Sequence, residues 1–234
     1  IIVAPGRGRA PEIRVFTQWG YELVDYRQMA FAASYTGGVE IAAGDVTGDG
    51  VADIITGMSS GASEVRVFRV DPAAVDPVVN TPIRVLQPFG VTFAGGVNVA
   101  TADVGTFVNG VTRSTTSPDG LCELVVASGA GMKATVLVYD LSGANPRLLD
   151  TVSPFNGSAT VGALSVTTGR YDSDRIDDIV VASGATGGSA VEVYSGRIDD
   201  SVDARLTQIT AFADSPKRNG QTYAVGLDLD GDGT

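Results

Sequence analysis

The chain has 234 residues, is 44% hydrophobic and 18% charged, and carries a formal net charge of −11 with no histidine and a single cysteine. That share of apolar residues excludes a disordered chain, one cysteine excludes a disulfide framework or a cysteine-built zinc site, and the missing histidine removes the commonest general base and transition-metal ligand. The acidic balance argues against nucleic acid and anionic membranes as partners, and no apolar run approaches the roughly 20 residues of a membrane span.

In chain order, Ile1-Ile2-Val3-Ala4 reads as a short apolar strand. A glycine-rich turn, Gly6-Arg7-Gly8-Arg9-Ala10-Pro11, leads into the alternating strand Ile13-Arg14-Val15-Phe16. A polar stretch holding Trp19 and Tyr21 follows, and then a looser strand closing at Phe31. Next comes Gly37-Gly38-Val39-Glu40-Ile41-Ala42-Ala43, which runs into an acidic loop at 45–53. The order then restarts, with Ile54-Ile55-Thr56-Gly57, Val65-Arg66-Val67-Phe68 and a strand closing at Phe89. Gly95-Gly96-Val97-Asn98-Val99-Ala100-Thr101 enters a second acidic loop, interrupted by an insertion at 104–118. Leu124-Val125-Val126-Ala127, Val136-Leu137-Val138-Tyr139 and a strand closing at Phe155 make the third round. The fourth is Ile179-Val180-Val181-Ala182, Val191-Glu192-Val193-Tyr194 and a strand closing at Phe212, before Tyr223-Ala224-Val225-Gly226.

The starts of the acidic loops, Asp45, Asp103, Arg170 and Asp228, lie 58, 67 and 58 residues apart, the insertion accounting for the longer step. Four short strands per unit, β-branched residues in period two and turn signals between them predict an all-β chain. Four-stranded units repeated in series predict the blades of a β-propeller. The chain is expected to be one segment, 1–234, with repeats at about 1–53, 54–123, 124–178 and 179–234. The pattern is cut inside a repeat at both ends. The segment is expected to be a window of a larger propeller, for example one of seven blades, or a closed four-blade ring in which residues 223–229 pair with 1–5.

The loop at 45–53 has oxygen side chains at its positions 1, 3, 5 and 9 and glycine at 6, the arrangement with which a tight turn surrounds a calcium ion with hard oxygens. Asp45, Thr47, Asp49 and Asp53 are expected as side-chain ligands, with the Val51 carbonyl between them. An EF-hand is excluded, because its position 12 needs glutamate and a helix, whereas Thr56 stands there in an apparent strand. In the second loop Asp103, Asp119 and Glu123 match the outer positions. In the third, Asp172, Asp174 and Asp178 remain, but Arg170 and Arg175 replace the first aspartate and the glycine. The guanidinium of Arg170 is expected to stand in for the cation by pairing with Asp172, Asp174 or Asp178. The fourth loop opens with Asp228, Asp230 and Asp232.

The loop at 45–53, the strand Ile54-Ile55-Thr56-Gly57, the glycine-rich turn and Val65-Arg66-Val67-Phe68 together resemble the FG-GAP or VCBS repeat family, the blades of integrin-α-type propellers. The resemblance implies structural Ca2+ and a secreted or cell-surface protein, with an adhesive or interaction role toward a protein or glycan partner. The alternative is a carbohydrate-binding propeller, or the propeller of a polysaccharide-active enzyme, with Trp19 and Tyr21 as a stacking platform. With no histidine, and its carboxylates gathered in loops, the chain is expected not to be an enzyme and to hold no catalytic residues.

Overall fold

The computed structural model describes residues 1–74, 77–78, 81–108, 111–114, 117–159, 162–186, 188–197, 205–212 and 222–224, with only the backbone for 106–108 and 111–114. Its strands are β1 (Ile2–Val3), β2 (Glu12–Val15), β3 (Gln28–Met29), β4 (Val39–Gly44), β5 (Asp53–Met58), β6 (Val65–Phe68), β7 (Arg84–Leu86), β8 (Val97–Ala102), β9 (Thr106–Val108), β10 (Val111–Ser114), β11 (Glu123–Ser128), β12 (Val136–Asp140), β13 (Arg147–Val152), β14 (Ser165–Gly169), β15 (Asp178–Ala182), β16 (Ala190–Tyr194) and β17 (Arg205–Thr210). The helical elements among the described residues are one 3-10 turn at Val24–Tyr26 and one turn at Pro154–Gly157. The fold is all-β.

Three antiparallel sheets have four strands each, ordered β4-β5-β6-β7, β8-β11-β12-β13 and β14-β15-β16-β17. A fourth sheet, β1-β2-β3, has three. Its strands correspond to β5, β6 and β7, so each four-stranded sheet starts one strand earlier than the repeats counted from Ile54, Leu124 and Ile179. The insertion is a separate ribbon, β9 paired with β10.

The second strand of each four-stranded sheet is buried almost from end to end, and its apolar run is covered on both faces, as is usual for a strand sandwiched between layers. Successive side chains point to opposite faces, and the clusters follow that rule. On β11, Leu124 and Val126 pack with Ile55, Val65 and Val67 of the preceding sheet. Val125 and Ala127 pack with Ile179, Val181 and Tyr194 of the following one. On β5, Ile55 faces forward and Ile54 faces back to Ile13 and Phe31 of the first sheet. Each such fully buried Val, Leu or Ile contributes about 1.5–3 kcal/mol.

The first strands of neighbouring sheets, β4 against β8 and β8 against β14, also touch. Equivalent positions make equivalent bonds across both seams. Thr101 Oγ1 donates to the Ala43 carbonyl at 2.9 Å, and Thr168 Oγ1 donates to the Thr101 carbonyl at 2.6 Å. Gly96 shows how close the seams are. Its φ is +76°, and a Cβ there would fall 2.4 Å from the Ser59 carbonyl oxygen. The acidic loops lie at one end of the sheets, after the last residues of β4, β8 and β14. The glycine-rich turns lie at the other.

Candidate metal loops

The first loop hangs from β4 and returns into β5. Asp45 caps it from inside. Its Oδ1 accepts N–H bonds from Thr47 at 3.2 Å, Gly48 at 2.7 Å and Asp49 at 3.3 Å, and its Oδ2 accepts one from Gly50 at 2.7 Å. Gly48 and Gly50 have φ of +81° and +83°, which a residue with a Cβ adopts only under strain. Asp49 Oδ1 accepts from Val51 N at 2.9 Å, and its Oδ2 pairs with Arg69 Nε at 2.7 Å. Asp53 Oδ2 accepts from Val46 N at 3.2 Å.

Two oxygens are left over. Asp53 Oδ1 and Thr47 Oγ1 are buried and have no hydrogen-bond partner. The Thr47 hydroxyl lies near the Asp53 carboxyl and weakly offsets its pKa shift, but completes no hydrogen bond with it. Burial above all, with the Asp49 and Asp45 charges adding, pushes the Asp53 carboxyl up to about 6.

The second loop repeats this geometry across its insertion. Asp103 accepts from Asp119 N at 3.2 Å and Gly120 N at 2.8 Å, as Asp45 does from Asp49 and Gly50. Asp119 Oδ1 accepts from Leu121 N at 2.9 Å, and Glu123 Oε2 accepts from Val104 N at 3.1 Å. Glu123 is 3% exposed, and burial pushes its carboxyl up to about 9. The bonds to Asp103 form although the β9–β10 ribbon lies between Asp103 and Asp119 in the chain. Cys122 is half-buried and its thiol is raised to about 11, chiefly by burial.

In the third loop Asp174 Oδ1 accepts from Ile176 N at 2.9 Å and Asp178 Oδ2 from Tyr171 N at 2.8 Å, again the same pair of bonds. Asp172 Oδ1 caps Asp174 N at 2.8 Å. Arg175 sits where the other loops have Gly50 and Gly120, with φ of +73°. Burial raises the Asp178 carboxyl to about 6. The expected partner of Arg170 is corrected. Its Nε lies 3.5 Å from Asp177 Oδ1, outside the trio Asp172, Asp174 and Asp178. The arginine that enters the loop is Arg197, whose Nε is 2.9 Å from Asp174 Oδ2. It does for Asp174 what Arg69 does for Asp49, and the spacing of the acidic residues gave no sign of either.

The loops are also chained. Cys122 N donates to the Asp45 carbonyl at 2.8 Å and Asp177 N to the Asp103 carbonyl at 3.1 Å. Among the described residues, no three acidic side chains are drawn together into a ready-made metal cluster, since Asp45 and Asp103 turn their carboxylates to backbone N–H groups. The donor set nonetheless suits a hard cation, being all oxygen with two buried oxygens unpartnered in the first loop. Asp228, Asp230 and Asp232 lie outside the described residues. Trp19 and Tyr21 stand in the turn between β2 and β3, each 74% exposed.

No protein-family model matches the chain, and no curated protein matches it. Among solved structures it is similar to a Bacillus licheniformis rhamnogalacturonan lyase, with 11% identity and a TM-score of 0.45 over 89% of this chain and 46% of that one. The chain thus spans less than half the length of that structure. The neighbour is an enzyme, and the expectation that this chain is not one is corrected accordingly. The expectation leaned on the missing histidine, but carboxylates, tyrosine and lysine also move protons in catalysis. At this identity and TM-score the likeness brings no particular reaction to the chain.

Proposed function

We propose that the chain is a calcium-stabilised β-propeller module that works outside the cell or at its surface, presenting loops to a protein or glycan partner. The observation that carries the reading is the pair of buried, unpartnered oxygens, Asp53 Oδ1 and Thr47 Oγ1, inside a loop that also holds Asp45 and Asp49. A buried polar atom without a partner is costly, and a carboxylate more so. A hard cation held by Asp53, Thr47, Asp49, Asp45 and the Val51 carbonyl removes that cost. Asp103, Asp119 and Glu123, and then Asp172, Asp174 and Asp178, offer the same positions in the next two loops. The propeller reading is supported by sheets stacked face to face and joined at their first strands by repeated bonds.

Calcium binding only the folded chain stabilises it by about 2.7 kcal/mol when the ion exceeds its Kd a hundredfold. Melting in calcium and in EDTA tests this. A clear fall in melting temperature on chelation, restored by calcium, is expected. Identical curves contradict the reading.

A further inference from the structure

At the end of the sheets opposite the acidic loops, a cavity of about 280 Å³ opens where turns of all four sheets meet. It falls just below the usual range of ligand pockets, roughly 300–1,000 Å³, with room for about one sugar ring. Arg7, from the turn between β1 and β2, lines it and is exposed, and it makes no ion pair among the described residues. In a chain of net charge −11, that is an unspent cation in an acidic background.

A second part of the lining is polar and fixed. Glu40 Oε2 accepts from Asn98 Nδ2 at 2.7 Å, Glu40 Oε1 accepts from Ser59 Oγ at 2.5 Å, and Asn98 Oδ1 accepts from Val166 N at 2.8 Å. These bonds hold the Glu40 carboxylate and the Asn98 amide in one orientation at the first strands of two sheets, ready for further hydrogen bonds from hydroxyl groups. The third component is aromatic. Tyr223 lines the same cavity and is 71% exposed.

We propose that this cavity binds a uronic acid unit of a glycan. The Arg7 guanidinium takes the sugar carboxylate in a charge-assisted, two-pronged pair. Tyr223 covers the ring's C–H face, and the Glu40–Asn98 pair meets the hydroxyls. A neutral sugar leaves Arg7 unused, and a carboxylate on a peptide side chain leaves the Glu40–Asn98 wall without hydroxyls. Repulsion from the chain's distant charges is screened beyond about 8 Å at physiological salt. The Glu40 carboxylate that shares the cavity already accepts from Asn98 and Ser59, which leaves Arg7 as the charge that recruits the sugar's acid. The site is independent of calcium in the loops at the far end of the strands.

The test is a titration of the full chain with glucuronate, glucose and N-acetylaspartate, followed by NMR or calorimetry in calcium and again in EDTA. Circular dichroism confirms that each variant is folded. Glucuronate is expected to bind at least about tenfold more tightly than either other probe. Arg7→Gln is expected to remove about tenfold of that affinity, and Tyr223→Ala several-fold. Arg9→Gln, in the same turn but outside this cavity, is expected to change it less than about twofold. Absence of glucuronate binding, equal binding by Arg7→Gln, or N-acetylaspartate binding as tightly as glucuronate overturns the proposal, the last pointing to an acidic peptide instead.

Discussion

The loops at 45–53 and 170–178 share a backbone path and differ in what sits at its centre. In the first, Asp45 draws four N–H groups around one carboxylate and two glycines take the left-handed positions. In the third, Arg170 turns away to Asp177 and Arg175 is forced to a φ of +73°. Yet both keep the bond from the fifth-position aspartate to the residue two on, and the bond from the ninth-position aspartate back to the second residue. Both also have an arginine on the fifth-position aspartate, Arg69 or Arg197. The loop path therefore survives without the first aspartate, whereas on our reading full calcium coordination requires it.

The largest effect separating the two loops is expected from Asp53→Asn. It removes the buried charge that calcium would neutralise, so about 2–3 kcal/mol of calcium-dependent stability is lost, read as the gap between melting in calcium and in EDTA. In EDTA alone the same change is expected to leave stability equal or higher, because the buried carboxylate is gone. Asp178→Asn, in the loop lacking its first aspartate, is expected to shift that gap much less.

A pH series in EDTA sharpens the comparison. Asp53 and Asp178 titrate near 6 in the folded chain, and Glu123 near 9, all raised chiefly by burial. A group whose folded pKa is raised keeps a proton that the unfolded chain releases. Calcium-free stability is therefore expected to fall as pH rises from about 4 toward 9, first through the aspartates and then through Glu123. Calcium, which needs these groups ionised, is expected to bind more weakly on acidification through pH 6. A calcium-free melting temperature that climbs between pH 6 and 9 would be the wrong sign.

Arg175→Gly is expected to stabilise the third loop by about 1 kcal/mol, since glycine takes the left-handed backbone without a Cβ clash. Denaturant unfolding measures it, and destabilisation would show that the Arg175 side chain outweighs the strain. Arg170→Asp restores the missing first carboxylate, and one additional bound calcium ion is expected by calorimetry. The smallest effect is expected from Arg69→Gln. It frees one oxygen of Asp49 and is predicted to tighten calcium binding a few-fold at most, the pair being partly exposed and screened.

The all-β class, the recurring strands and the positions of the first three acidic loops were legible in the sequence because each rests on local chemistry, although the sheets begin one strand earlier than the repeats counted there. Period-two apolar runs, glycines at left-handed positions and aspartates at fixed offsets mark them. What lay hidden depends on contacts between distant segments. Arg69 and Arg197 reach their loops from 20 and 23 residues away, and nothing in the local pattern around them points there. Glu123 looked like one more loop acid, but it opens β11, opposite Ala102 of β8, and is buried there. Within the insertion at 104–118 the described segments β9 and β10 pair as a ribbon, and Asp103 still accepts from Asp119 N and Gly120 N, which the sequence did not announce.

Calorimetric titration of calcium into the wild-type chain and into Asp53→Asn tests the central claim most directly. The account predicts at least two ions bound by the wild type and one fewer by the variant. No binding by the wild type, or the same number of ions in both, would contradict it.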